Sequence, residues 1–115
     1  MNLSAEARAG ALIVYVGEER LDAAIAIRFK DRMREITQQP ARRVILDMSR
    51  VDFLDSSGLG AVVAVMKSLA PTRTLELAGL TPNVAKVFRL TRMDTVFPIH
   101  ETIEAATSEG VRHAG

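Results

Sequence analysis

The chain has 115 residues, 48% of them hydrophobic and 25% charged, with 15 basic against 14 acidic residues for a formal charge of +1. Such a balance belongs to a globular protein with one core, and it excludes both a disordered chain and a nucleic-acid binder resting on a strong basic excess. The absence of cysteine excludes disulfides, thiolate metal sites and a cysteine nucleophile.

Leu3, Ala5 and Ala7 alternate with Ser4, Glu6 and Arg8, the period of a half-buried strand, and show no basic-then-apolar run that would read as a signal peptide. Ala9-Gly10 marks a turn, and Ala11 to Val16 reads as a second strand that closes a hairpin with the first. From Leu21 the period changes. Leu21, Ile25, Phe29, Met33 and Ile36 recur every three to four residues between charged faces, which predicts an amphipathic helix ending before Pro40.

Val44-Ile45-Leu46 is a continuous apolar run, as in a strand covered on both faces. A polar segment from Asp47 to Asp52 follows and is closed by Phe53 and Leu54. The next helix is the most regular, with Leu59, Val62, Val63, Met66 and Leu69 as its core stripe, Ser56-Ser57-Gly58 at its start and Pro71 at its end. Thr74 to Ala78 predicts a strand with Leu75 and Leu77 on one face. Thr81 caps a helix that has Pro82 at its first position and Val84, Val87 and Phe88 on its buried side. Val96, Phe97 and Ile99 read as a short last strand, with Pro98 marking an edge. Thr102 to Thr107 forms a final helix, and residues 108–115 read as a frayed tail.

Strands alternating with helices after an opening hairpin imply an α/β fold with a mixed sheet of four to five strands and about four helices, in one domain spanning residues 1–115. No run approaches the roughly 18 uninterrupted apolar residues that a membrane helix needs, so no membrane association is expected and the cytoplasm is the expected compartment.

The stretch that carries function is Val44 to Lys67, in which a buried strand leads into Asp55-Ser56-Ser57-Gly58-Leu59-Gly60 at the head of the best helix. Switches and ligands in open α/β sheets sit on such strand-to-helix loops. A helix N-terminus offers unpaired N–H groups and a positive dipole end to a phosphate. Gly58 and Gly60 remove side-chain bulk where a partner's backbone could approach. Gly60, Ala61, Ala64 and Val65 are small or apolar where a solvated helix would carry charges. They form either a docking surface or a face buried against a neighbouring helix of the same domain. Ser56 or Ser57 reads as a helix cap, Asp55 as a turn residue and Asp22 as the N-cap of its helix.

This stretch resembles the STAS family, and within it the bacterial anti-sigma-factor antagonists, in which Asp-Ser-Ser/Thr-Gly-Leu-Gly follows an apolar strand and begins a helix. The resemblance runs from about Ala11 to Ala105 and takes in Leu21-Asp22 and the Thr81-Pro82-Asn83-Val84 helix with Val87-Phe88. It implies phosphorylation of Ser56 by an anti-sigma factor that is also a serine kinase, and reversal by a metal-dependent serine phosphatase. The unphosphorylated form would bind the kinase and release a sigma factor. The implied partner-binding surface comprises Asp22, Asp55, Ser57, Gly58, Leu59, Gly60, Ala61 and Ala64. The chain departs from the family in its longer Gly17–Leu21 loop, which borders that surface, and at Met93-Asp94, where Gly-Leu is frequent. The alternative is a STAS module that meets no kinase, as a subunit of a lipid-transport complex or a scaffold in a sensory assembly.

Enzymatic readings find no constellation, so no catalytic residues, cofactor or metal are expected. Asp47, Asp52 and Asp55 cluster near one strand end as in a magnesium-dependent phospho-acceptor site, but residues 95–99 hold no lysine to accompany them. There is no Gly-x-Ser-x-Gly elbow, and His100 and His113 read as surface residues of a late loop and the tail. The Arg42-Arg43 pair reads as a solvated face.

Overall fold

A computed structural model describes the backbone of residues 1–112 and the side chains of residues 1–108. Strands β1 (Leu3–Arg8) and β2 (Ala11–Val16) form the antiparallel hairpin. Ala9 and Gly10 both take positive φ, 53° and 78°, which gives a two-residue connection the twist of its flanking strands. Strands β4 (Arg43–Asp47), β6 (Thr74–Ala78) and β7 (Ile99–His100) add in parallel, so that the sheet runs β1-β2-β4-β6-β7 with β7 on an edge. Between these come β3 (Arg20–Leu21) and β5 (Phe53–Leu54), which pair only with each other, in parallel. The helices are α1 (Ala26–Ile36), α2 (Ser56–Leu69), α3 (Pro82–Leu90) and α4 (Ile103–Arg112).

Strand alternation divides the core. Leu12, Val14, Val44, Leu46, Leu75 and Leu77 meet Phe29, Met33, Val62, Leu69 and Phe88 on the side of α1, α2 and α3. Ala11, Ile13, Ile45 and Ala78 meet Ile103 and Ala106 of α4 on the other. The C-terminal end of α1 is tied down from across the chain. The Arg73 guanidinium donates to the carbonyls of Thr37, Gln39 and Ala41 at 2.6, 2.9 and 2.7 Å, which satisfies oxygens that a helix end leaves open.

Four expectations are corrected. Leu21 does not open α1 but belongs to β3, because pairing with Leu54 draws it into the sheet-like roof above the core, and the helix begins five residues later. Val96 and Phe97 are not in a strand. A 3-10 turn over Met93–Thr95 precedes them, Val96 is exposed, and Phe97 packs edge-on against Phe88 with ring centres 5.8 Å apart. The final helix runs to Arg112, five residues past the expected Thr107, and the rest of the expected tail, His113 included, lies outside the described residues.

The fourth correction concerns a polar cluster beneath α4. Arg43 and His100 do not lie on solvated surfaces, because both face Glu76, a buried residue in the middle of β6. Arg43 grips the carboxylate with two bonds, Nε to Oε2 at 2.8 Å and Nη2 to Oε1 at 2.7 Å, and Nη2 also donates to the Ala106 carbonyl of α4 at 3.0 Å. The His100 Nε2 lies 2.8 Å from Oε1. Burial by itself would push the Glu76 carboxyl upward. The hydrogen bonds and charges of Arg43 and His100 outweigh it and hold the group below the usual glutamate range.

Candidate functional site

The parallel bridge between β3 and β5 brings two distant loops together at the head of α2. Glu19 O accepts from the N–H groups of Asp52 and Phe53 at 2.7 and 3.2 Å, and Leu21 O accepts from Asp55 N–H at 3.4 Å. Gly58 lies against this bridge. A Cβ there would stand 2.0 Å from Leu21 O and 2.9 Å from Leu54 Cδ1, so only glycine fits. The expectation that Gly58 makes room for a partner's backbone is therefore corrected: the backbone it admits is the chain's own, and Gly58 is buried. Gly60, by contrast, is exposed, with no atom within 4 Å of a Cβ built on it.

Asp55, rather than either serine, caps α2. Its backbone is extended, with φ −98° and ψ −177°, and its Oδ1 accepts from Gly58 N–H at 2.8 Å. Oδ2 accepts from Ala23 N–H at 3.1 Å, which fastens the α1 side of the site to the α2 side. The Gly58 N–H is the largest influence on the Asp55 carboxyl and lowers it. Slight burial opposes this, the Ala23 and Ser57 N–H groups and the Arg20 charge reinforce it, and Asp55 is held below the usual aspartate range. It is ionised at neutral pH. Asp55→Ala removes a cap and a cross-link at once, and is expected to lower the urea midpoint of unfolding, whereas Ser57→Ala leaves that midpoint nearly unchanged.

The capping carboxylate also decides what the helix end can offer. The Gly58 and Ser57 amides at this helix end already face Asp55, which sets a fixed negative charge next to Ser56. Ser56 occupies the first position of α2, and both it and Ser57 are exposed, with no side-chain hydrogen bond to either hydroxyl among the described residues. Asp22 does not cap α1, whose N-cap is Ile25. Asp22 instead shapes the preceding turn, accepting from Ala24 N–H at Oδ1 (3.1 Å) and from Arg20 Nε at Oδ2 (3.2 Å).

The buried stripe of α2 is Gly58, Ala61, Val62, Val65 and Leu69, rotated from the expected one. Ala61 and Val65 are interior, and Ala64 and Val65 line a cleft of about 100 Å³ against Lys30, Met33 and Arg34 of α1 and Thr37 just past its end. Ala61 and Val65 are thus covered by the chain itself, while Ala64 keeps part of its surface, and Ala61 is withdrawn from the partner surface. Ser56, Ser57 and Gly60 remain exposed, with Leu59 and Ala64 half-buried beside them. Sequence reading missed Arg20 and Phe53, which the β3–β5 pair presents at the same end of the molecule. Only the longer loop preceding Leu21 hinted at them. Asp47, Asp52 and Asp55 do not converge, and among the described residues no group of His, Asp or Glu could hold a metal ion.

A mixed sheet with three helices on one face and one on the other, and a strand bridge leading into an aspartate-capped helix, is the architecture of a STAS domain. The STAS domain profile matches residues 2–106, and the chain belongs to that family. Its relatives include BtrV of Bordetella bronchiseptica, which carries the name of an anti-sigma factor antagonist and is 38% identical over 68 residues, 58% of this chain and 59% of that protein. The chain thus matches under two thirds of that relative's length. The anti-sigma-B factor antagonist of Staphylococcus aureus is 25% identical over 92 residues, 79% of this chain and 84% of its own. The same fold is seen in an anti-sigma-factor antagonist (STAS) domain protein of Planctomyces limnophilus, with a TM-score of 0.84 at 18% identity over 94% of this chain and 96% of that one. Among the described residues no helix is long and apolar enough to cross a membrane.

Proposed function

We propose that this chain is an anti-sigma-factor antagonist, acting in the cytoplasm and switched by phosphorylation of Ser56. Unphosphorylated, it binds an anti-sigma factor that is also a serine kinase and so releases a sigma factor. In the kinase complex the Ser56 oxygen bonds to the γ-phosphorus of ATP, the bond to ADP breaks, and the hydroxyl proton passes to a base of the kinase. A metal-dependent serine phosphatase hydrolyses the ester and restores binding. The partner surface is formed by Asp22, Asp55, Ser56, Ser57, Leu59, Gly60 and Ala64.

One observation carries this reading: the Ser56 hydroxyl stands exposed at the first position of a helix whose next two amides are held by an ionised aspartate. A neutral hydroxyl there leaves the surface open to a partner. A phosphate adds roughly 1.5 to 2 negative charges beside Asp55, and a partner that packs over both meets like-charge repulsion and desolvation. No refolding is needed.

Incubation with ATP and the candidate kinase from the same genome tests the reading by intact mass. A gain of one phosphate in the wild type and none in Ser56→Ala is expected. Binding of the kinase with no modification would overturn the switch and leave a scaffold module. In titrations with the same kinase, Ser56→Ala keeps wild-type affinity while Ser56→Asp loses about tenfold or more. Equal affinities of the two variants contradict electrostatic switching.

A further inference from the structure

The β3–β5 bridge places a cation beside the switch residue. Arg20 pairs with Phe53 across the two strands, and its guanidinium carbon lies 4.1 Å over the centre of the Phe53 ring. Its Nε donates to Asp22 Oδ2 at 3.2 Å, and the side chain is 62% exposed. Phe53 is itself 40% exposed. From Phe53 the chain runs through Leu54 and Asp55 directly to Ser56, and Asp55 N–H is bonded to the carbonyl of the residue after Arg20. The Arg20 charge is felt at the Asp55 carboxylate. Asp22 and Asp55 accept from the adjacent amides of Ala24 and Ala23, and Glu19 and Asp52 flank the strand pair, so the surroundings are otherwise negative.

A phosphoryl group on Ser56 enters this setting with the Ser57 and Gly58 amides already turned to Asp55. Arg20 is itself 62% exposed and is held only by one N–H to the half-buried Asp22 carboxylate and by the face of the partly exposed Phe53 ring, both weak restraints. A phosphate offers three acceptor oxygens and nearly two charges, and a guanidinium presents its fork to two of them together. We propose that Arg20 receives the phosphate on Ser56, leaving Asp22 and the face of Phe53, so that phosphorylation bares the Phe53 ring and removes the arginine from the partner surface. This rests on the reading of Ser56 as the modified residue. The modification thereby gains a geometric output: besides adding charge, it dismantles an arginine-on-phenylalanine platform at the edge of the docking face.

The test uses the full chain with phosphoserine installed at position 56 during translation, with and without Arg20→Gln. Because no kinase is involved, its outcome is independent of whether a kinase reaches Ser56, which the mass experiment decides. The second ionisation of the phosphate is followed by phosphorus NMR. A nearby guanidinium favours the dianion, so the midpoint with Arg20 is expected about half a unit or more below that of Arg20→Gln. A smaller difference overturns the proposal. Arg20 is exposed and outside the core, and the unphosphorylated variant is expected to retain the circular dichroism of the wild type.

Discussion

Gly58→Ala is expected to destabilise the protein by about 3 kcal/mol or more, or to prevent folding outright. The added carbon would lie 2.0 Å from a main-chain carbonyl oxygen and 2.8 Å from the carbon that bears it. Neither side can yield cheaply. Gly58 is in the first turn of α2, fixed by the Asp55 cap, and Leu21 is fixed by its pairing with Leu54 and its bond to Asp55. Relief requires α2 to withdraw from β3, which opens the bridge that positions Asp22, Arg20 and Ser56 together. The variant should therefore lose kinase binding along with stability. Gly60→Ala is the matched control, two residues further along the same helix. Its methyl meets nothing within 4 Å, and replacing a helical glycine by alanine should stabilise by roughly 0.5 to 1 kcal/mol. Urea unfolding of the two variants checks both signs. Equal shifts would mean that backbone entropy, rather than the contact with Leu21, governs position 58.

Glu76→Ala is expected to destabilise by about 2 to 3 kcal/mol. It removes the carboxylate on which the Arg43 fork and the His100 ring both rest, and opens a gap under α4. Arg43 is 29% exposed and keeps some access to water, which places the loss at the low end for a broken buried pair. Because Arg43 also bonds the Ala106 carbonyl, hydrogen-exchange protection should fall first in α4. Replacing both ends with apolar residues, Arg43→Met with Glu76→Leu, should recover part of the loss, since neither an unpaired guanidinium nor a gap then remains under α4. The pH dependence follows from the lowered Glu76 carboxyl. Folding holds the group ionised more tightly than the unfolded chain does, so its contribution is complete above the ordinary glutamate range, about pH 4.3, and is lost as pH falls through the lower folded value. The stability difference between wild type and Glu76→Gln should thus shrink on acidification through that window. A difference constant down to pH 2 would contradict the assignment, and urea melts across the range decide it.

Most of the architecture could be read from periodicity. The hairpin, the strand at 74–78, the Thr81-Pro82 helix start and the alternation that makes an α/β sheet all follow from local patterns, because strand and helix periods survive in the residue order. The Asp-Ser-Ser-Gly-Leu-Gly run was legible for the same reason, as a loop with a helix behind it. What escaped was assigned by contacts between distant residues. Glu76, between Leu75 and Leu77, looks like the solvated side of a strand until α4 covers it and Arg43 and His100 close on it. Leu21 fits the helical stripe that follows, yet pairing with Leu54 takes it into a strand.

Thus the order of residues by itself determined the elements, their sequence along the chain and the position of Ser56 at the head of α2, since each depends on neighbours a few residues away. Which face of α2 is buried, that Asp55 rather than a serine caps it, that Gly58 meets the chain's own carbonyl, and that Arg20 stacks on Phe53 were decided only in three dimensions. The physical reason is the two-residue pairing of β3 with β5: hydrogen bonds between segments some thirty residues apart set the rotation and height of α2, and no local pattern encodes them.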